Sequence, residues 1–126
     1  MEKWSLDASF IIDFLSGRKY AKKTLEGGDY SKIVIPSLAK AEIKWSQKDI
    51  KDFEKLETLK FGSEEIGKCL EIKSFLEEKG EMINKIDIMI AAQCITSSSI
   101  LVTRDKDFKN LEEYQEFRQI NLADEE

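Results

Sequence analysis

Short β-rich apolar runs alternate along this chain with segments whose apolar residues recur every three or four positions. Trp4 to Ala8 is a compact apolar run interrupted by Asp7, and it predicts a buried strand. Ser9 to Leu15 follows with helical spacing, and Gly17 marks its stop. Tyr20 to Leu25 predicts a second short helix with a basic face, closed by Gly27-Gly28. Lys32 to Ile35 is a β-branched strand that ends at Pro36, the only proline. Ser37 is placed to cap a helix over Leu38–Trp45. Residues 47–57 predict a charged amphipathic helix with Ile50, Phe53 and Leu56 on one stripe, and Thr58 to Phe61 a short edge strand. Ser63-Glu64-Glu65 opens the next helix, with Ile66, Cys69, Leu70, Ile72, Phe75 and Leu76 on one face and Gly80 as its end. Ile86 to Ile95 is apolar nearly all round, the mark of a central buried helix. Ser97-Ser98-Ser99 reads as a turn, and Ile100 to Thr103 as a strand. Asp105 to Leu111 reads as a loop with a short helix, and Arg118 to Leu122 as a last strand.

Strands and helices in this order suit right-handed crossovers around a parallel sheet. The fold class expected is therefore α/β. In open sheets of this kind the ligand site lies beyond the carboxyl ends of the strands. The length of 126 residues suits one domain, here residues 1–122, followed by a short acidic tail over 123–126 that is expected to fray. There is no internal repeat, linker or low-complexity segment.

Composition changes this picture in three ways. A formal charge of −5 argues against broad affinity for nucleic acid, while leaving room for a local basic rim. Cys69 and Cys94 are too few for a disulfide framework and read as reduced core residues. No apolar run approaches the roughly 18 residues of a membrane span, and the N-terminus carries no signal-like apolar segment. The expectation is a cytoplasmic protein with no membrane partner. Arg18-Lys19 and Lys22-Lys23 form a small basic cluster that reads as a solvated helix face rather than an RNA groove, and Trp4 and Trp45 read as core or interface anchors.

The chemistry is carried by Asp7, Glu42, Asp87 and Asp105, which stand singly against apolar runs. A carboxylate beside a buried segment carries a desolvation cost unless a donor or a cation meets it. Asp7 and Asp105 follow predicted strands, while Glu42 and Asp87 fall near the first turns of helices, so the architecture sends all four toward one sheet edge. If they meet, their repulsion must be offset, and a hard divalent cation with oxygen ligands is the natural counter-charge. The chain has no histidine to act as ligand or base. Each acid also has an ordinary reading: Asp7 and Asp87 as helix caps, Glu42 as a solvated helix residue, Asp105 and Asp107 as turn residues.

These segments also match a family. Leu6-Asp7-Ala8-Ser9 resembles the opening motif of PIN-domain ribonucleases, and Ser37 to Ile43, with Glu42 inside it, resembles their second motif. Ile86 to Ala92 is similar to the third, and Leu101-Val102-Thr103-Arg104-Asp105-Lys106-Asp107-Phe108 to the fourth, the most specific of the set. Order and spacing both fit, over nearly the whole chain, and the nearest likeness is to the stand-alone VapC-type toxins of toxin–antitoxin pairs. The resemblance implies a three-layer α/β/α fold with a short central parallel sheet of four or five strands. It implies a metal-dependent endoribonuclease that cuts RNA phosphodiester bonds with a metal-activated water. Asp7, Glu42, Asp87 and Asp105 would be its metal ligands, holding one or two Mg²⁺ or Mn²⁺ ions. Ser9 and Thr103 would orient carboxylates or a phosphate, Asp107 would sit in the outer shell or cap the helix at Phe108, and Lys40, Arg104 and Lys106 would meet RNA phosphates. The implied partners are RNA and a cognate antitoxin, and the apolar helix faces add a homodimer. Two other classes stand beside this one: a receiver-like phosphoacceptor domain, and a PIN fold kept as a catalytically idle binding module.

Overall fold

A computed structural model describes residues 1–125. Five parallel strands form one sheet: β1 (Glu2–Leu6), β2 (Tyr30–Pro36), β3 (Glu57–Leu59), β4 (Ser99–Thr103) and β5 (Gln119–Asn121), in the spatial order β3-β2-β1-β4-β5. Helices α1 (Ala8–Leu15), α2 (Lys19–Glu26), α3 (Ser37–Trp45), α4 (Ser63–Lys79) and α5 (Lys85–Thr96) complete a three-layer α/β/α sandwich. The chain moves outward from β1 through β2 to β3, then returns past β1 to β4 and β5. The direction of winding therefore reverses between β1 and β4, and that switch point opens a crevice at the carboxyl ends of the two strands. Leu6 pairs with Val102 there, and the Asp7 amide donates to the Val102 carbonyl at 3.0 Å.

The central strands are buried on both faces, as a covered parallel sheet requires. Leu6, Val34, Ile35, Leu101 and Val102 are fully buried. Phe10 and Ile11 of α1, Ile43 of α3, Ile72 and Leu76 of α4, and Ile90 of α5 close over them. Among the described residues no helix is long and apolar enough to cross a membrane.

Several local expectations are corrected. Residues 47–57 do not form an amphipathic helix: Gln47 and Lys51 take positive φ, and only a 3₁₀ turn over Lys51–Lys55 remains. Ile50 is buried in that irregular segment all the same, and Phe53 packs edge-on against Phe14 at 5.4 Å. The burial was legible, but the charged stretch has too little apolar surface to hold regular turns. On α4 the buried stripe runs Glu65, Ile72, Leu76, whereas Ile66 and Leu70 point outward, 51% and 63% exposed. Neither Ser37 nor Ser63 is a cap. Ser37 is already helical, and α4 starts after Gly62, whose amide donates to Glu65 Oε1 at 2.7 Å. The acidic tail is tied down over its described part: the Arg104 guanidinium donates to the Glu125 carbonyl and Lys109 pairs with Asp124. Glu126 lies outside the described residues.

The residue that does the capping at α3 is Gln93, a fully buried amide in the apolar run of α5. Its oxygen accepts from the Leu38 amide at 3.3 Å, and its nitrogen donates to Ser37 Oγ and to the carbonyls of Leu59 and Lys60. One side chain thus fastens α5 to the start of α3 and the end of β3. Gln93→Leu is expected to cost about 2 kcal/mol in denaturant unfolding, since three backbone groups lose their partner. Water reaching them through the adjacent polar cavity, which Leu59 and Lys60 also line, keeps the cost from being larger.

Candidate active site

The site is assembled where β1 and β4 end. Asp7 follows β1 directly and stands at the position before α1, yet its side chain makes no capping bond to that helix. It turns instead across the switch point, where Thr103 Oγ1 donates to Asp7 Oδ2 at 2.6 Å and Ser9 Oγ donates at 3.2 Å. Thr103 is fully buried, and its hydroxyl also accepts from the Asp105 amide at 3.0 Å. Ser9 accepts from the Arg104 amide at 3.1 Å. These two hydroxyls therefore tie the end of β1 to the loop after β4 through the carboxylate they share.

Asp105 opens the 3₁₀ turn Lys106–Leu111, its carboxylate accepting from the Asp107 amide at 2.9 Å. The cap there is Asp105, so Asp107 does not cap a helix at Phe108. Asp87 lies in the first turn of α5, but the cap of α5 is Asn84, whose side chain accepts from the Ile86 amide at 2.8 Å. Asp87 has no such structural task. It is 9% exposed, and carboxylate oxygens of Asp87, Asp105 and Asp107 lie within 4.8 Å of one another. Glu42 projects from the second turn of α3 at the rim.

The electrostatics follow from this crowding. Burial pushes the Asp87 carboxyl up to about 7, aided by the charges of Asp105, Asp7, Glu42 and Asp107. Burial also raises Asp7, against the hydrogen bonds from Thr103 and Ser9. Glu42 is raised by partial desolvation of its carboxyl and by the charges of Asp7 and Asp105. Asp87 thus feels the charge of all three other acids singled out in the sequence. Thiol chemistry is excluded by the opposite argument: burial pushes Cys94 up to about 12 and raises Cys69, so neither is a thiolate near neutral pH.

The donor set fits a hard divalent cation. It is made of carboxylate oxygens alone, partly buried, and a cation would relieve the raised proton affinities of Asp7, Glu42 and Asp87. Asp87, Asp105 and Asp107 are the group whose oxygens already lie close enough to share an ion, with Asp7 and Glu42 bordering them.

The cations near the site are less free than the sequence suggests. Lys40 pairs with Glu54 at 3.3 Å, and the Arg104 guanidinium turns away onto Asp13 Oδ2 at 3.0 Å. Lys106 is exposed and makes no ion pair among the described residues. Sequence reasoning missed Gln93, Asn84 and Asp13. Gln93 was detectable as a lone amide in an apolar helix, which must find partners once buried. Asp13, whose link to the site runs through the distant Arg104, left no such sign.

Comparison with known proteins gives one family and one fold. The family model for the PIN domain matches residues 5–114. No curated protein sequence matches the chain. Among solved structures, VapBC2 from Rickettsia felis, bound to a DNA fragment from its promoter, is 22% identical with a TM-score of 0.75, covering 94% of this chain and 98% of that one. VapBC-5 from Mycobacterium tuberculosis, of the VapBC family of toxin–antitoxin systems, is 19% identical with a TM-score of 0.76, covering 96% and 99%. FitAcB from Neisseria gonorrhoeae is 16% identical with a TM-score of 0.74, covering 94% and 96%.

Proposed function

Because this chain belongs to the PIN domain family, a family of nucleases, we propose that it is a metal-dependent endoribonuclease and the toxin of a toxin–antitoxin pair. What carries the reading is the crowded acidic crevice, where Asp87 sits buried beside Asp105 and Asp107 with no structural task of its own. Asp7, Glu42, Asp87 and Asp105 would hold one or two Mg²⁺ or Mn²⁺ ions, with Asp107 at the exposed side. Such an ion supplies Lewis acidity toward a phosphodiester and a more acidic water. The chain's own residues do the rest. Thr103 and Ser9 hold the Asp7 carboxylate and the Asp105 backbone in fixed relation. The carboxylates crowd the crevice, and exposed Lys106, next to Asp105, would meet a phosphate.

The toxin assignment leans on the fold shared with VapBC complexes over almost the full length of both chains. It brings an antitoxin as partner. Exposed Trp45, Ile66, Leu70 and Met82 are large apolar groups of the kind that interfaces cover, in favour of a homodimer that also carries the antitoxin. Light scattering is expected to give twice the monomer mass; a monomer at high concentration removes the dimer from the proposal.

The experiment is cleavage of single-stranded RNA by the purified protein in Mg²⁺ or Mn²⁺, with a chelator as control. Cutting that the chelator abolishes is the expected result. Cutting that survives chelation would refute the metal requirement. Absence of cutting would leave the idle binding module; the PIN family match already argues against the receiver-like alternative. In a receiver-like site the acid after the first strand has acidic neighbours, whereas Asp7 is flanked by Leu6 and Ala8.

A further inference from the structure

Helix α2 is built against its own stability. Lys19, Lys22 and Lys23 share one stripe at spacings of three and four residues, where like charges repel. Its first turn holds no acid and begins on Lys19, so the N-terminal end opposes the helix dipole, while at the C-terminal end Lys23 suits the dipole and Glu26 opposes it. Arg18 extends the stripe by one residue before the helix. The lysines of α3 and α4 differ. Lys40 and Lys44 pair with Glu54, Lys68 with Glu116, Lys73 with Glu77 and Lys79 with Glu81. Among the described residues none of the three α2 lysines has a carboxylate partner. In a chain of net charge −5 with abundant acid, leaving this one face unpaired is a local concentration of positive charge.

The stripe is also joined to the acidic crevice. Tyr20, on the buried side of α2, donates its hydroxyl to Asp13 of α1. The Arg104 guanidinium binds the same Asp13 oxygen and lies 5.1 Å over the Tyr20 ring. Arg104 itself stands between Thr103, which holds Asp7, and Asp105. Beside this junction Lys19, Tyr20, Lys23, Thr24 and Glu125 line an open cavity of about 370 Å³. Among the described residues Glu125 is the one carboxylate on that wall.

We propose that the α2 stripe of Lys19, Lys22 and Lys23, joined to the acidic crevice through Tyr20, Asp13 and Arg104, binds the sugar–phosphate backbone of single-stranded RNA beside the bond to be cut. The inference rests on the nuclease reading and adds to it the path the substrate takes. The physics is a division of labour. The crevice repels polyanions until its own charge is offset, so the affinity for a long substrate must come from elsewhere. Mobile lysines on a helix supply it without reading sequence.

The test compares full-length Asp87→Asn protein, as an uncut binding background, with the same protein carrying Lys19→Gln, Lys22→Gln and Lys23→Gln. Binding of a fluorescent oligouridylate of about 12 nucleotides is followed in Mg²⁺ at several salt concentrations. The triple change is expected to weaken binding by roughly tenfold or more at low salt. It should also lower the slope of log K against log salt by about 2, at about 0.7 per phosphate contact on a single strand. Thermal melting confirms the fold, and it should not fall, because removing like charges from one stripe relieves repulsion. If Asp87→Asn binds RNA and the triple change leaves affinity and slope unaltered, this inference fails while the nuclease reading stands. If unmutated protein neither binds nor cuts RNA, both fail. Loss of binding to an acidic protein partner with RNA binding intact would assign the stripe to that partner and overturn the proposal.

Discussion

Asp87→Asn is expected to reduce RNA cleavage by about a hundredfold or more and, without divalent cation, to raise the melting temperature. Even residues that only support metal ligands cost roughly 10- to 100-fold when removed, and a direct ligand should cost at least the upper figure. The stability effect follows from the proton affinity. In the fold the Asp87 carboxyl is pushed from its ordinary 3.8 up to about 7, first by burial and then by the surrounding acids. As pH rises from about 4 to about 7 the unfolded chain releases this proton before the folded protein does. The folded state therefore binds more protons in that window and loses stability across it, with the full penalty present above pH 7. Asparagine carries no such penalty. Calorimetry of metal-free protein should show the mutant melting higher by about 5 °C at pH 8, with the gain shrinking toward pH 4 and gone there. Added Mg²⁺ or Mn²⁺ should erase the difference by stabilising the unmutated protein. A mutant that melts lower at pH 8 would mean that the carboxylate holds the fold together.

Thr103→Val should damage both stability and activity, while Thr103→Ser retains most of each. Valine keeps the shape of threonine and removes only the hydroxyl. That hydroxyl donates to Asp7 Oδ2 at 2.6 Å and accepts from the Asp105 amide at 3.0 Å, in a fully buried position. Its loss leaves a buried carboxyl with only Ser9, at 3.2 Å, among the side-chain donors. The expected cost is about 2 to 3 kcal/mol, the range for hydrogen bonds to charged groups together with an orphaned backbone amide. Cleavage should fall at least tenfold, because Asp7 and Asp105 lose their common reference point. Urea unfolding and cleavage assays on the two variants separate the roles: if valine matches the unmutated protein in both, the hydroxyl is idle.

The elements of this fold were largely legible because each is local. Period-two and period-3.6 patterns located β1, β2, β4, α1, α3, α4 and α5, and Gly17 and Gly80 ended helices where left-handed backbone was needed. Misreadings fell where local pattern competes with long-range contact. Residues 47–57 have the apolar spacing of a helix, but Ile50 is drawn into the core by an irregular path. Ser37 has the chemistry of a cap, but Gln93, more than fifty residues away, reaches the Leu38 amide. On α4 a face of six apolar residues is wider than the surface available to bury it, so Ile66 and Leu70 stay outside.

The acidic character of the crevice was likewise legible in the sequence. Single acids set against apolar runs, in a chain without histidine, leave carboxylates as its chemistry wherever they meet. What the linear order does not contain is the meeting itself. Asp7 and Thr103 are neighbours because β4 lies beside β1 in register, and that adjacency exists only after the chain has reversed its direction of winding. Asp87 is released from capping because Asn84 takes that task, and its proton affinity rises through the burial and the neighbouring charges that folding imposes. Residue types and periodicity act over a few positions and can be read along the chain; desolvation, shared hydrogen bonds and mutual repulsion act through space, and only the tertiary structure decides them.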